Sequence, residues 1–119
     1  MGVDDTDPVA SNPDLYRVVF ENERVRVLEY RDRPGDQTTP HDHPDSVMVT
    51  LSGFSRRLRR DGDQRDVEIP GGVASWLPAQ RHSGENIGET ETHVVFVELK
   101  EPAPAPEGGR PALGPDGTG

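Results

Sequence analysis

The sequence contains no cysteine, and this absence excludes several kinds of chemistry at once. A chain without thiols has no disulfides, iron–sulfur clusters, cysteine-rich zinc sites or cysteine nucleophiles. No apolar run approaches the roughly 20 residues that a membrane-spanning helix needs. Residues 1–13 contain neither a basic segment nor an apolar stretch, so we expect no signal peptide there and a cytoplasmic location for the protein.

Positive charge is scarce, since 13 residues are basic and 22 are acidic, for a net charge of −9. Nucleic acids and anionic membrane surfaces favour clustered positive charge, so neither is an expected partner. Lys100 is the only lysine, and arginine in place of lysine is typical of a GC-rich bacterial genome. The sequence also lacks phosphate-binding loops, dinucleotide fingerprints and the common hydrolase motifs, so it indicates no organic cofactor.

Large apolar side chains are few, and their distribution divides the chain. Valine, leucine, isoleucine and phenylalanine are concentrated in the middle, whereas proline and glycine are enriched at the two ends. A length of 119 residues suits one domain and not two. We therefore predict one globular domain over residues 14–100, a flexible N-terminal tail at 1–13 and a flexible Pro/Ala/Gly-rich C-terminal tail at 101–119.

Short alternating segments separated by turns predict an all-β fold. In residues 24–31, for example, Leu28 and Tyr30 share one face of a strand, while Val25 and Val27 share the other. The predicted strands cover residues 16–20, 24–31, 47–51, 56–60, 66–69, 73–77 and 92–100. Turns rich in glycine and proline lie between them, and no segment has the apolar spacing of an amphipathic helix. This pattern indicates a sandwich or barrel.

Two of the four histidines, His41 and His43, form the strongest chemical signal. Residues i and i+2 of a strand face the same side, so both imidazoles can reach one pocket with Cα atoms roughly 6–7 Å apart. This span suits two ligands of one metal ion. The flanking prolines, Pro40 and Pro44, favour the alternative, which is a polar pair in a loop.

The surroundings of this pair resemble two motifs of the cupin superfamily. Residues 35–43 read G-x5-H-x-H and are followed by Gly53, which resembles the first cupin motif. Residues 72–86 read G-x5-P-x3-H-x3-N, which resembles the second motif. The two motifs stand in the family's order, and the resemblance extends over residues 16–100.

The resemblance implies a cupin-type antiparallel jelly-roll β-barrel of six to eight strands with a pocket at one end. In cupins, the two histidines of the first motif and the histidine of the second bind one divalent metal ion. These positions correspond here to His41, His43 and His82. Fe(II) is the first expectation for the metal, with Zn(II), Ni(II) and Mn(II) as alternatives, since three neutral imidazoles leave the ion its full charge.

Two positions depart from the family pattern. Cupins usually place a glutamate ligand four residues after the second histidine, where this chain has Val47. In the second motif, Gln80 occupies a position that is often glycine, and His82 follows the proline after four residues rather than five. These departures favour a three-histidine site. They leave open a degenerate cupin that has lost its metal.

Three further residues are candidates for catalysis. Gln80 lies next to the second motif's histidine, where it can form a hydrogen bond to a ligand or to metal-bound water. His93 and Glu98 belong to the last predicted strand but to opposite faces, so a regular strand directs only one of them into the pocket. Tyr16 and Tyr30 are interpreted as core or rim residues rather than catalytic acids.

The arginines among residues 56–60 are unusual in an acidic chain. Strand alternation places Arg56 on one face with Leu58 and Arg60, opposite Arg57 and Arg59. The sequence favours a solvated edge that nearby aspartates and glutamates balance. The alternative places one arginine inside the barrel, where it would bind a carboxylate or phosphate.

The sequence thus predicts a metal-dependent cupin enzyme that acts on a small polar metabolite, with Fe(II)-dependent, dioxygenase-type chemistry as the first expectation. One alternative is a non-redox Lewis-acid cupin, such as an isomerase or dehydratase. Others are a non-catalytic binding or sensing cupin and a partner-binding module that uses the acidic tails. A small-molecule substrate is the expected partner. A monomer and a homodimer built on the 16–20 edge are equally compatible with the sequence.

Overall fold

The computed structural model describes residues 6–101, in which nine strands follow one short helix. The helix is α1 (Pro8–Ser11), and the strands are β1 (Tyr16–Glu21), β2 (Val25–Asp32), β3 (His41–His43), β4 (Ser46–Thr50), β5 (Phe54–Arg60), β6 (Asp63–Ile69), β7 (Ala74–Leu77), β8 (Gln80–Asn86) and β9 (Thr92–Leu99). All paired strands are antiparallel. They form a five-stranded sheet, β1-β2-β9-β4-β7, and a four-stranded sheet, β3-β8-β5-β6. The predicted all-β jelly-roll fold is confirmed.

The hydrophobic core lies between the two sheets. Leu28 and Tyr30 of β2 and Val94 and Phe96 of β9 are buried on the inner face of the larger sheet, against Phe54 of β5. Their spacing of two residues is the strand period, and it confirms the faces predicted for residues 24–31. The core is small, and part of the space between the sheets remains a cavity.

Strands β3 and β8 were not predicted as strands, and they carry the histidines. They pair with each other, and His41 lies directly opposite His82. Their sequences, HDH and QRHSGEN, contain no apolar residue that alternates with polar ones, so hydrophobic periodicity gives no signal there. This pairing brings the two cupin-like motifs together.

Residues 6–13, which the sequence assigns to a flexible N-terminal tail, make contacts with the rest of the described chain. Asp7 caps α1 by accepting hydrogen bonds from the backbone of Val9 and Ala10, and a proline begins the helix. Asn12 is buried, and its side-chain oxygen accepts a bond from Thr39 N at 2.9 Å. Residues 6–13 therefore pack on the domain, because local capping and long-range polar contacts hold a segment that has little apolar surface.

Two parts of the predicted tails, residues 1–5 and 102–119, lie outside the described residues. Within the described part, helix α1 has four residues, and no helix there is long and apolar enough to cross a bilayer.

The hairpin between β5 and β6 turns at Asp61 and Gly62, which have positive φ angles of 49° and 84°, respectively. Such angles are typical of a tight type I′ turn and keep the two strands in register.

Candidate metal centre and barrel cavity

Three histidines converge between the sheets. His41 and His43 are buried and His82 is half-buried. Their ring centroids lie 4.8 to 5.1 Å apart, and one nitrogen from each ring lies within 4.8 Å of the other two. The strand geometry predicted for His41 and His43 is confirmed, and the β3–β8 pairing adds His82 to the same cluster.

Each imidazole is oriented by an oxygen atom near its Nδ1. These contacts are Thr39 O at 2.7 Å from His41, Glu98 Oε2 at 3.2 Å from His43 and Gln80 Oε1 at 2.7 Å from His82. Carbonyl, carboxylate and amide oxygens only accept hydrogen bonds, so each Nδ1 carries the proton and donates it. The Nε2 atoms of all three rings are therefore left with a lone pair that can bind a cation.

Burial also favours the neutral imidazoles. It lowers the pKa of His41 to about 4 and that of His82 to about 3. Burial is the largest cause of both pKa shifts, and the neighbouring imidazoles and the positive charge of Arg56 contribute to them, while the hydrogen bond to Thr39 O opposes the shift of His41. Both rings are therefore neutral near pH 7, and neutral imidazole is the form that binds a metal.

The donor set fits a divalent transition metal. Imidazole nitrogen suits zinc, iron, nickel and copper, and metal–nitrogen bonds are about 2.0–2.1 Å long. The three nitrogens, which lie within 4.8 Å of one another, would therefore have to move closer together on binding. A site of three protein ligands leaves positions open for other molecules.

Tyr16 of β1 directs its hydroxyl at the cluster. The oxygen lies 3.2 Å from His41 Nε2 and 3.3 Å from His43 Nε2. Since both nitrogens accept, the single hydroxyl proton is donated to one of them at a time. Burial holds the pKa of this phenol well above its ordinary value. Tyr16 is a buried core residue, as the sequence interpretation has it, but its contact with the histidines was not predicted, because nothing near Tyr16 in the sequence points to them.

A carboxylate reaches the cluster from β9 instead of β4. On β4, Met48 faces the cavity, whereas Val47 belongs to the outer face and pairs with Val97. Glu98 on the neighbouring strand is buried, accepts the bond from His43 Nδ1, and lies 3.0 Å from the guanidinium of Arg26. The chain thus keeps a glutamate at the site, as a partner of one histidine.

The three candidate catalytic residues differ in their positions. Glu98 and Gln80 contact the Nδ1 atoms of His43 and His82, so each orients a histidine. His93 lies on the opposite face of β9, where its Nε2 is 2.6 Å from Glu29 Oε2. Of the two β9 residues, therefore, Glu98 faces inward and His93 does not join the cluster.

A cavity of about 150 Å³ lies between the sheets, and His41, His82 and Tyr16 are among its lining residues. Its walls are mainly apolar side chains: Met48, Phe54, Leu58, Val67, Ile69, Leu77, Val94 and Phe96. A cavity of about this size holds one benzene ring in a protein core. The apolar walls do not favour the small polar metabolite expected from the sequence.

Arg56 also lies inside the barrel, where the sequence favoured a solvated edge. Its side chain is only 11% exposed and donates from one terminal nitrogen to Asp32 Oδ2 at 2.8 Å and from the other to the Tyr30 hydroxyl at 2.7 Å. Gly84 on β8 makes room for it, because a Cβ atom there would lie 2.6 Å from Arg56 Nε. The other arginines of the run stay at the surface, because Asp32 and Tyr30 provide inward partners for Arg56 alone.

Comparison with solved structures identifies proteins of similar fold. A cupin domain from Bordetella pertussis is 30% identical, with 73% of this chain and 93% of that chain covered and a TM-score of 0.69. A protein from Klebsiella pneumoniae with a double-stranded β-helix domain is 23% identical. The match covers 69% of this chain and 72% of that chain, and the TM-score is 0.56. The polyketide cyclase RemF from Streptomyces resistomycificus is 22% identical, with 75% and 66% covered and a TM-score of 0.56.

No protein-family model matches the sequence, and no curated protein matches it. The structural matches below 25% identity show the shared fold alone. The chain is a small jelly-roll barrel in which three histidines lie close enough together to hold a metal ion. Together with the Bordetella domain, these features show that the chain belongs to the cupin superfamily.

Proposed function

We propose that this cupin is a metal-dependent enzyme in which His41, His43 and His82 hold one divalent cation. The observation that carries the proposal is the shared orientation of the three rings. Each Nδ1 proton is donated to an oxygen, so the Nε2 atom of each of the three clustered rings keeps its lone pair. Hydrogen bonds from the ring nitrogen that does not bind the metal hold metal-binding histidines in the correct tautomer and raise their affinity for the ion.

Fe(II) is the proposed metal, and oxygenation of a small organic substrate is the proposed reaction class. Bound iron would supply a Lewis acid with open coordination positions and access to O₂ chemistry. The residues around the metal would bind and orient the substrate. Tyr16 can donate a hydrogen bond to an oxygen atom held beside the histidines, and the apolar walls exclude water from the reacting molecule.

A second candidate is a non-redox Lewis-acid reaction, such as an isomerisation, dehydration or cyclisation. It is favoured by two lining residues of the mainly apolar cavity that carry hydrogen-bond donors, Tyr16 and Arg56. Donors of this kind stabilise negative charge that develops on a substrate oxygen. The similarly folded RemF, whose name makes it a polyketide cyclase, supports keeping this candidate.

Metal analysis by mass spectrometry tests the proposal directly. Untagged protein should contain, or take up from Fe(II), Zn(II) or Ni(II), about one equivalent of metal, and a His41→Ala/His43→Ala variant should contain almost none. His93→Ala is the matched control, because it removes an outward histidine, and it should keep the metal. A folded wild-type protein that binds none of these ions would overturn the proposal.

The same preparation separates the two reaction classes. Iron-loaded protein that consumes O₂ together with an organic substrate supports oxygenation. Turnover of a substrate under anaerobic conditions, supported equally by Zn(II), supports the Lewis-acid reaction instead. Screening should begin with ring-sized, mainly apolar compounds, because the cavity walls favour them.

A further inference from the structure

We propose that the cavity binds a ring-sized, mainly apolar molecule that carries one acidic oxygen, as an aromatic or alicyclic acid does, and that Arg56 binds this oxygen. The inference deepens the proposed function, since the same cavity is lined by His41 and His82. The residue it concerns is not one of the three histidines, however, because Arg56 belongs to β5 and is not a proposed metal ligand. It therefore makes predictions for the metal-free protein.

Arg56 retains donors that the protein does not use. A guanidinium group has five N–H bonds. Among residues 6–101, Arg56 donates to Asp32 and to Tyr30 and makes no further hydrogen bond. Its Nε and the second hydrogens of its terminal nitrogens are therefore left in a largely buried side chain that lines the cavity. No fully buried side-chain nitrogen of residues 6–101 lacks a partner, so these unused N–H groups are accessible, and an oxygen in the cavity can accept hydrogen bonds from them.

The surrounding residues hold the guanidinium in place. The fully buried carboxylate of Asp32 accepts hydrogen bonds from Tyr30, Arg56 and Asn86, the last at 3.0 Å. Tyr30 donates its proton to Asp32 and accepts from Arg56, so it positions the guanidinium rather than binding the ligand. Burial opposes the charge of Arg56, but Tyr30 and Asp32 outweigh it and raise the pKa of the guanidinium.

Charge and shape together indicate the class of ligand. The Arg56–Asp32 pair is neutral as a whole, but the N–H groups of a guanidinium bind an ionised oxygen more strongly than a neutral one, so Arg56 favours an acidic oxygen even without a metal. A divalent cation on three neutral imidazoles would make the cavity positive and favour an oxyanion. The walls and the volume of about 150 Å³ favour a hydrocarbon ring as the body of the molecule.

The test is an NMR titration of ¹⁵N-labelled, chelator-treated protein with three probes. Benzoate has both the ring and the oxyanion, toluene has only the ring, and acetate has only the oxyanion. The amide signals of Val94 and Phe96 report the cavity. We expect benzoate to bind at least about tenfold more tightly than toluene or acetate, because only benzoate engages both Arg56 and the apolar walls.

Paired substitutions test the role of Arg56. Arg56→Met with Asp32→Asn removes both charges, so no lone carboxylate is left buried, and should weaken benzoate binding about tenfold or more while toluene binding stays within about twofold. Arg57→Met with Asp66→Asn removes an equivalent pair from the outer side of the barrel and should change neither. If the first variant does not fold, Arg56→Lys, which keeps the charge but not the planar fork, should weaken benzoate binding about threefold or more.

Three results would overturn the inference: no benzoate binding by the folded protein, benzoate no tighter than toluene, or wild-type benzoate affinity in both Arg56 variants. These results are distinct from failure of the metal proposal. A protein that binds zinc but not benzoate would refute the ligand class alone. One that binds benzoate through Arg56 but takes up no metal would refute the metal centre alone.

Discussion

The hydrogen bond from His43 to Glu98 is the residue-scale contact that most directly affects metal affinity. A buried carboxylate makes the imidazole a stronger ligand and fixes its orientation. Glu98→Gln should therefore weaken Zn(II) binding about 10- to 100-fold in competition with a chelating dye. The matched control is Glu29→Gln, which alters the outward contact to His93. Equal Zn(II) affinity in the two variants would show that Glu98 has no such role.

The buried imidazoles should also make stability depend on pH in the metal-free protein. In the unfolded chain, histidine takes up a proton near pH 6.5, whereas folded His41 and His82 stay neutral down to about pH 4 and pH 3. Between these values the unfolded state binds more protons, so the free energy of unfolding falls as the pH drops.

The expected loss is roughly 2 kcal/mol for each of these imidazoles between pH 7.5 and pH 5. Urea denaturation at the two pH values measures it. His82→Gln removes one titrating group, so the loss on going to pH 5 should be smaller in that variant. A variant whose stability falls as steeply as that of the wild type would contradict the assignment.

Individual residues differ in how far the sequence predicts them. His41, His43 and His82 belong to local motifs that resemble those of cupins, so the resemblance was enough to group them. Tyr16 and Arg56 reach the same cavity from distant strands, and alternation along a strand does not say which face is inside. For Glu98 and His93 the sequence showed only that one of them faces inward, and the buried contact with His43 decides between them.

At the scale of the elements, the meeting of β5 and β8 depends on Gly84. A methyl group there would lie 2.6 Å from Arg56 Nε, so the largely buried Arg56 side chain would have to shift relative to Asp32. Gly84→Ala should lower the free energy of unfolding by about 1–3 kcal/mol. Gly53→Ala, whose new Cβ would have its nearest contact at 3.4 Å, should cost less. Equal losses in urea denaturation would contradict this reading.

The strands also differ in how well the sequence predicts them, because only some of them have a local pattern of apolar residues. The strands β1, β2 and β9 alternate apolar and polar residues or are β-branched, and their positions were predicted closely. The strands β3 and β8 are polar, and their pairing with each other stabilises them, so no periodicity marks them. The helical turn α1 was missed because its contacts, such as Asn12 with Thr39, join segments that are distant in the chain.

At the scale of the whole molecule, the outer face of the five-stranded sheet carries an apolar stripe from edge to edge. Phe20, Val27, Val97, Val47 and Trp76 lie side by side on successive strands, and the two aromatic rings at the ends are both 54% exposed. A continuous apolar face of this kind is typical of an interaction surface. We propose that a second copy of the chain covers it, since a two-fold axis would place the same apolar stripe of each copy against the other.

Light scattering after size exclusion tests the dimer. The wild type should have twice the chain mass of 13.1 kDa. Val47→Glu places a charge at the centre of the stripe and should yield a monomer with an unchanged circular dichroism spectrum. Ser55→Glu, a substitution on the other sheet, is the control and should remain dimeric. A wild type that is monomeric at high concentration would contradict the proposal.

The central claim is that three imidazole Nε2 atoms bind one metal ion, and X-ray absorption spectroscopy of Zn(II)- or Fe(II)-loaded protein tests it most directly. The structure predicts a first shell with three imidazole nitrogens at about 2.0–2.1 Å for zinc, which show the outer-shell scattering of the rings. The His82→Ala variant should lose one of the three. A shell of oxygen atoms alone, or one unchanged by His82→Ala, would contradict the claim.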